Sequence, residues 1–101
     1  MSREQVTVVV IGGGSSYTPE LVEGLIKRHS EFPVHDLFLV DIEAGRRKLE
    51  IVGALAKRMI ERARTPIRVH LTFNREQAIR GADYVITQFR VGMLDARARA
   101  E

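Results

Sequence analysis

The chain of 101 residues contains no cysteine, and other features that would define a class of protein are missing as well. Without cysteine, disulfides and cysteine-ligated metal sites are excluded within these residues. No apolar run approaches the roughly 20 residues that a transmembrane helix needs. Internal repeats, low-complexity stretches and linkers are also absent. The sequence therefore favours one small globular domain with no membrane partner.

The N-terminus lacks the pattern of a secretory signal. The first five residues lead directly into a six-residue apolar run, Val6 to Ile11. That run is too short for a signal-peptide core, and no small-residue cleavage site follows it. We therefore expect a cytoplasmic protein.

The charge pattern does not favour binding to nucleic acid, although the net charge is +3. Basic and acidic residues are interspersed from Glu43 to Lys48 and from Lys57 to Arg64, which is typical of a solvated helix face. Neither an RNA-binding aromatic signature nor a zinc-finger spacing is present. We expect no nucleic-acid partner.

Apolar segments with strand character alternate with helical patterns, and this order predicts βαβ units and a parallel sheet. Strands are predicted at 6–11, 37–40, 67–71 and 84–89. Helices are predicted at 18–29, at 44–63 and at 74–79, and another helix begins near residue 93. The predicted fold is α/β and Rossmann-like, with the first four strands of a doubly wound parallel sheet and their intervening helices. The fourth strand should lie at a sheet edge.

Residues that favour helix ends refine these boundaries. Thr18 is predicted to cap the first helix, with Pro19 at its first position, where a missing N–H costs nothing. Asn74 is predicted to cap the third helix, and Gly81 suits its C-terminal end.

A glycine-rich loop, Gly12-Gly13-Gly14-Ser15-Ser16, lies between the first strand and the first helix. Glycine allows a pyrophosphate to approach the backbone, and a following helix directs N–H groups and its positive dipole end at the anion. In the dinucleotide-binding pattern G-x-G-x-x-G, the third glycine is replaced here by Tyr17, so we expect a wider loop. A flexible turn without a ligand is the alternative.

Asp41 ends the second predicted strand, where a carboxylate can accept hydrogen bonds from the ribose hydroxyls of adenosine and repel a 2′-phosphate. It follows Gly14 by 27 residues, somewhat more than the usual ~20. Loop and carboxylate together favour NAD over NADP. The alternative is that Asp41 is a turn residue or caps the next helix.

The three histidines, His29, His35 and His70, share no metal-ligand spacing, and we expect them to be surface or packing residues.

Four segments resemble glycoside hydrolase family 4, and within it the 6-phospho-β-glucosidases most closely. They are IGGGSSYTPELVEGLIKR (11–28), FPVHDLFLVDIE (32–43), KLEIVGALAKRM (48–59) and TQFRVG (87–92). The resemblance spans essentially the whole chain, but it covers only the N-terminal portion of such an enzyme. It implies that residues 1–101 are an incomplete NAD-binding domain, and that the catalytic and metal-binding parts are absent.

The resemblance also implies a reaction. This family is an NAD-dependent exception among glycosidases. NAD⁺ takes a hydride from sugar C3, a base removes the acidified C2 proton, and the glycosidic bond breaks by elimination. A divalent metal, usually Mn²⁺, polarises the sugar oxygens. The expected substrate is a phosphorylated glycoside, the complete enzyme is expected to be a homo-oligomer, and the 101-residue chain alone is expected to be inactive.

Site residues follow from the resemblance position by position. No catalytic residue and no metal ligand fall within the chain. Arg97 matches an arginine that contacts the substrate. Its guanidinium group can form two parallel hydrogen bonds with the oxygens of the 6-phosphate. Chemistry alone favours solvated charges for Arg90, Arg97 and Arg99. The resemblance reverses that interpretation for Arg97, and less firmly for Arg90. The implied cofactor-binding residues are Gly12, Gly13, Gly14, Ser15, Ser16, Asp41 and Arg90.

The residues alone are also compatible with two other functions. The chain could be the half-domain of an ordinary NAD-dependent dehydrogenase, because fold alone does not fix function. It could also be a non-catalytic module that binds a nucleotide or pairs with a partner through its open sheet edge.

Overall fold

A computed structural model describes residues 6–87, which form four strands, three α-helices and one 3-10 turn. The alternation of strand and helix is the one that the sequence predicts. The helix predicted from residue 93 lies outside the described residues. In chain order the elements are β1 (Val6–Ile11), α1 (Thr18–Lys27), β2 (Val34–Val40), the 3-10 turn (Glu43–Gly45), α2 (Arg46–Ala63), β3 (Arg68–Thr72), α3 (Arg75–Arg80) and β4 (Tyr84–Thr87).

The strands form one parallel sheet in the order β3-β2-β1-β4. In the middle of β1, Val9 lies opposite Phe38 of β2 and Val85 of β4. The chain builds outward from β1 to β3 and then crosses back, so the strand order reverses beside β1. Open α/β sheets bind ligands at such a reversal, outside the carboxyl ends of the strands. The predicted Rossmann-like arrangement is confirmed, and β4 lies at an edge of the described sheet.

The two faces of the sheet carry separate apolar cores. Successive strand residues point to opposite faces, and burial on both faces explains the nearly continuous apolar run of β1. On the face covered by α3, the buried residues are Val9, Val40 and Ala78. On the face covered by α1 and α2, the buried residues are Val8, Val10, Val22, Leu25, Val34, Leu37, Leu39, Leu49, Ala56, Ile60 and Ile67.

The prediction that Thr18 caps α1 is wrong. The helix begins at Thr18 itself, after Tyr17, whose side chain makes no capping bond. The Thr18 hydroxyl instead donates to the carbonyl oxygen of Gly13 at 2.8 Å in a buried position. Pro19 therefore takes the second helical position. The hydroxyl ties α1 to the glycine loop.

The strand β2 begins at Val34, three residues before the predicted start at Leu37. Val34 is fully buried and lies opposite Val6. The polar residues His35 and Asp36 interrupt the apolar pattern, so the pattern shows only the second half of the strand.

The ends of α2 and α3 largely match the boundaries predicted from the sequence. The predicted helix 44–63 divides into the 3-10 turn and α2, which ends at Ala63 as predicted. Asn74 caps α3 as predicted, because its Oδ1 accepts from the backbone N–H of Gln77 at 3.0 Å. Gly81 follows α3 with a φ of −100°, a conformation open to any residue. Within residues 6–87, no helix has both the length and the apolar character to cross a lipid bilayer.

Candidate functional site

The glycine loop is held against the carboxyl end of β2 by its own backbone. The N–H groups of Gly12 and Gly13 both donate to the carbonyl oxygen of Val40, at 2.8 and 2.9 Å. Gly12 has a φ of 85°, which favours glycine. The N–H of Ser15 then closes the turn by donating to Gly12 at 3.0 Å. In the described structure the loop is a hydrogen-bonded turn.

Close packing explains the other two glycines. A Cβ on Gly13 would lie 2.6 Å from the Cβ and 2.8 Å from the Cα of Leu39. A Cβ on Gly14 would lie 2.7 Å from Oδ2 of Asp41. Both distances are too short for a real side chain. These glycines therefore allow the loop to approach β2, apart from any role toward a ligand.

Asp41 lies directly after β2, and its carboxylate orders the loop. Oδ2 accepts from the N–H of Gly14 at 2.8 Å, and Oδ1 accepts from the N–H of Ile42 at 2.8 Å. The interpretation of Asp41 as a helix cap is wrong, because the cap positions of the 3-10 turn and of α2 are Ile42 and Gly45. An ionised carboxylate has about four acceptor positions. Two remain for a ligand.

Most N–H groups of the loop are already used within the protein. Those of Gly12 to Ser15 have the partners described above, and the N–H of Tyr17 donates to Oγ of Ser15 at 3.1 Å. Within residues 6–87, the N–H of Ser16 donates to no group. It lies at the start of α1, where the helix dipole favours an anion. Within residues 6–87, the Ser16 N–H is therefore the loop donor that has no protein acceptor.

Two adjoining clefts open at this edge of the sheet, and both are lined by Gly12, Asp41 and Ile42. The first has a volume of about 420 Å³ and is also lined by Gly14, Ser15, Ala44, Gly45 and Lys48. The second has a volume of about 430 Å³ and is also lined by Ile11, Val40, Phe73, Arg75 and Thr87. Asp41 therefore stands between a cleft beside the glycine loop and a cleft between the ends of β1, β2 and β4, whose lining includes Ile11, Val40 and Phe73.

Cations lie around Asp41 on both sides. Lys48 lines the first cleft and Arg75 the second. The guanidinium of Arg46 stacks over the ring of Phe73, 4.6 Å from its centroid, and pairs with Glu43 at 3.2 Å.

The sequence did not predict that Phe73 and Arg75 line a cleft beside Asp41. The rule that carboxyl ends of parallel strands meet at one edge could have found them, because both follow β3 closely.

The histidines have structural contacts. His29 Nε2 lies 2.9 Å from the carbonyl oxygen of Val34. His35 and His70 flank Asp36, at 3.4 and 2.9 Å from its carboxylate. Among residues 6–87, no group of three or more potential metal-ligating side chains is placed to hold a metal ion.

Asp36 organises a polar cluster on the α3 face, at a distance in the fold from the glycine loop. Arg68 Nε lies 3.2 Å from its carboxylate, and the His70 ring stacks on Phe38 with centroids 4.4 Å apart. Burial raises the pKa of Asp36. Hydrogen bonds from His70 and His35 and the charge of Arg68 outweigh that effect and hold the pKa below its usual value. A cleft of about 530 Å³ adjoins this cluster, and three protein side chains already contact the Asp36 carboxylate that lines it.

The predicted cofactor residue Arg90 and substrate residue Arg97 lie outside the described residues. β4 is described as far as Thr87, which lines the second cleft.

Comparison with known proteins gives a family match and relatives whose descriptions agree with it. A family model described as "Family 4 glycosyl hydrolase" matches residues 7–101. The chain is 64% identical over 94 residues to a protein of Bacillus subtilis (strain 168) described as a probable 6-phospho-beta-glucosidase, covering 93% of this chain and 21% of that protein. It is 53% identical over 94 residues to the 6-phospho-beta-glucosidase of Escherichia coli (strain K12), with the same coverage.

A solved structure has the same fold. It is the 6-phospho-beta glucosidase from Thermotoga maritima with manganese, NAD⁺ and glucose-6-phosphate, with a TM-score of 0.74 and 38% sequence identity. The match covers 87% of this chain and 20% of that one. The chain thus spans about a fifth of the length of the relatives that it matches.

Proposed function

Because the chain belongs to the family 4 glycosyl hydrolases, we propose that it is the NAD-binding portion of a 6-phospho-β-glucosidase. The observation that carries this proposal is the 64% identity over 94 residues to a probable 6-phospho-beta-glucosidase. Family membership also excludes the alternative of an ordinary dehydrogenase. The proposed domain is residues 1–101, the N-terminal part of a larger NAD-binding and catalytic unit.

The described residues fit the pyrophosphate and ribose of NAD. The loop Gly12, Gly13, Gly14, Ser15 and Ser16 offers the free N–H of Ser16 and two hydroxyl groups at the start of α1. Lys48 lines the same cleft and adds a positive charge. Asp41 has two acceptor positions left for the ribose hydroxyls, and its charge opposes a 2′-phosphate.

The second cleft fits an adenine ring. Ile42 and Phe73 give it apolar walls, and Asp41 lies at its border with the first cleft. Arg75 also lines this cleft, and a guanidinium group favours stacking on a flat ring. Adenosine would thus occupy the second cleft, and the pyrophosphate the first.

The remaining roles fall to residues outside 6–87. We propose that Arg90 contacts the cofactor and Arg97 the 6-phosphate of the substrate. The divalent metal, proposed to be Mn²⁺, and the catalytic side chains are assigned to further parts of the enzyme. When bound, NAD⁺ supplies a hydride acceptor for the sugar. The contribution of residues 6–87 is to bind and orient it.

The proposed setting is the cytoplasm, and the proposed substrate is a phosphorylated β-glucoside. A sugar phosphate is doubly charged near neutral pH and does not cross a bilayer unaided, so an enzyme that hydrolyses it belongs where it is formed. The complete enzyme is proposed to be a homo-oligomer.

The test uses the complete natural gene product, whose intact mass should be several-fold above 11.4 kDa. We expect it to hydrolyse p-nitrophenyl 6-phospho-β-glucoside only when NAD⁺ and Mn²⁺ are both present. The matched control is the α-anomer, which should react much more slowly. Turnover that does not depend on NAD⁺, or equal turnover of the two anomers, would contradict the proposal.

A further inference from the structure

Two cations line the clefts on opposite sides of Asp41. Lys48 lines the first cleft and Arg75 lines the second. Both residues are exposed, and within residues 6–87 neither of them forms an ion pair. The nearby Arg46 differs, because its guanidinium already pairs with Glu43 at 3.2 Å. In the described part of the chain, no carboxylate contact balances the charges of Lys48 and Arg75.

Arg75 is held near Asp41 by the connection between β3 and α3. The backbone N–H of Asp41 donates to the carbonyl oxygen of Thr72, the last residue of β3, at 3.3 Å. The N–H of Asn74 donates to Oγ1 of Thr72 at 3.0 Å, and Asn74 caps α3, which begins at Arg75. These hydrogen bonds fix the backbone that brings Arg75 to the second cleft, which Asp41 also lines.

The acidic residues around Arg75 leave its charge available. Arg75 also borders a shallow depression that Glu43 and Glu76 line. Glu43 is paired with Arg46, and within residues 6–87 Glu76 forms no ion pair with Arg75. The guanidinium of Arg75 is therefore free to bind an anion at the second cleft.

The chemistry of adenosine decides which cation a phosphate on its ribose would meet. C2′ of the ribose neighbours C1′, which carries the base, whereas C3′ neighbours C4′, which carries the 5′ carbon and the pyrophosphate. With adenine in the second cleft and the pyrophosphate in the first, the 2′ oxygen lies on the side of the second cleft. A 2′-phosphate would thus lie near Arg75, and Lys48 would remain beside the pyrophosphate.

We propose that Arg75 is a latent ligand for a 2′-phosphate, so that the choice of NAD over NADP depends on the charge of Asp41 alone. The inference rests on the proposed function, because it takes the placement of adenosine from it. In dinucleotide-binding folds that use NADP, an arginine near the ribose accommodates the 2′-phosphate, and its guanidinium can bond two phosphate oxygens at once. Asp41 lines the same cleft, and its negative charge opposes that phosphate.

The test measures the binding of NAD and NADP to the complete natural gene product by calorimetric titration. The quantity compared is the selectivity ratio, the Kd of NADP divided by the Kd of NAD, because effects common to both cofactors, such as stacking on adenine, cancel in it. Asp41→Asn should lower this ratio roughly tenfold. Adding Arg75→Gln to Asp41→Asn should raise the ratio again, by roughly three- to tenfold.

Two matched variants control for the loss of a positive charge. In the Asp41→Asn background, Lys48→Gln should weaken both cofactors and leave the ratio unchanged, because the pyrophosphate is common to them. Arg80→Gln, at the exposed end of α3, should change neither affinity. The proposal is overturned if Arg75→Gln leaves the ratio of Asp41→Asn unchanged, or if Lys48→Gln raises that ratio as much as Arg75→Gln does.

Arg75→Gln alone gives a test that keeps both hydrogen bonds of Asp41 to the loop. It should raise the ratio roughly threefold, because Arg75 then no longer attracts the phosphate that Asp41 repels. A gene product that binds NAD but whose ratio does not respond to Arg75→Gln refutes this inference and leaves the proposed function standing. A gene product that does not bind NAD contradicts the proposed function itself.

Discussion

Gly13 lies where the backbone of the glycine loop touches that of β2. Any side chain there would meet both the Cβ and the Cα of Leu39 at under 3.0 Å. Leu39 is fully buried in the middle of the sheet and cannot move aside. The requirement for glycine at this position is therefore a property of the fold, whereas the sequence pattern attributes it to a ligand.

We expect Gly13→Ala to lower the free energy of unfolding by about 1–3 kcal/mol, the usual cost of overpacking. Urea denaturation of the 101-residue chain measures it. Gly81→Ala is the control, because nothing lies within 4 Å of its added Cβ and its φ is ordinary. That variant should be neutral or slightly more stable. If both variants have the same free energy of unfolding, the contact with Leu39 does not require glycine at position 13.

Asp41 combines a structural and a proposed binding role in one carboxylate. Its position after β2 was predictable from the sequence, and the proposed preference for NAD over NADP rests on that position. Its bond to Gly14 was not predictable, because a separation of 27 residues does not reveal that the two meet. Nor does it reveal that both oxygens keep an acceptor position.

Asp41→Asn should separate these roles in the complete enzyme. Its amide retains one acceptor oxygen, but it loses the charge that opposes a 2′-phosphate. We expect NAD affinity to fall roughly tenfold or more, and NADP affinity to fall less or rise. Calorimetric titration with each cofactor checks this. Glu31→Gln, in the exposed loop before β2, removes the same charge and should change neither. Unchanged affinity for both cofactors in Asp41→Asn would remove Asp41 from the site.

At the scale of elements, apolar runs predicted β1 and the inner face of α2 well, because burial alone dictates them. Prediction failed where polar side chains have partners in another element. Thr18 bonds Gly13 instead of capping α1. His35 and Asp36 occupy the strand β2 because Asp36 lies opposite Arg68 and bonds His70 across the sheet. Such cross-strand partners depend on the register of β2 and β3, which hydrophobic periodicity does not give.

The Asp36 cluster predicts a pH dependence for the pairing of β2 and β3. The folded pKa of Asp36 lies below its usual value. Its charge therefore stabilises the fold above the unfolded pKa of about 4, and this contribution is lost as pH falls through the folded pKa. Arg68 and His70 are 65% and 39% exposed, so the contribution should be no more than about 1 kcal/mol.

Asp36→Asn tests this dependence. We expect the variant to be less stable than the parent chain at pH 7, and the difference to shrink as the pH is lowered below about 4. Thermal denaturation across that range measures it, with Glu76→Gln as a control for the loss of one negative charge. A difference that is constant with pH would show that the carboxylate acts by packing and not by charge.

For the whole molecule, the strand order decides what the described part can bind. The order β3-β2-β1-β4 places the reversal beside β1, and a dinucleotide binds across such a reversal with one mononucleotide on each half of the sheet. The cleft beside the glycine loop lies on the half built from β1, β2 and β3. The second cleft lies at the border of that half, where Thr87 of β4 also lines it. The described residues therefore contain the adenosine half of the proposed site.

This division predicts the relative affinities of the 101-residue chain for NAD and for the two parts of NAD. We expect ADP-ribose to bind it with an affinity within about threefold of that of NAD, because the nicotinamide adds few contacts to this half of the sheet. In the complete gene product NAD should bind distinctly more tightly than ADP-ribose. Titration followed by NMR shifts measures both, and nicotinamide mononucleotide is the control that should not bind the short chain. A clear preference of the short chain for NAD over ADP-ribose would place part of the nicotinamide site within it, and the assignment of the two clefts would have to be revised.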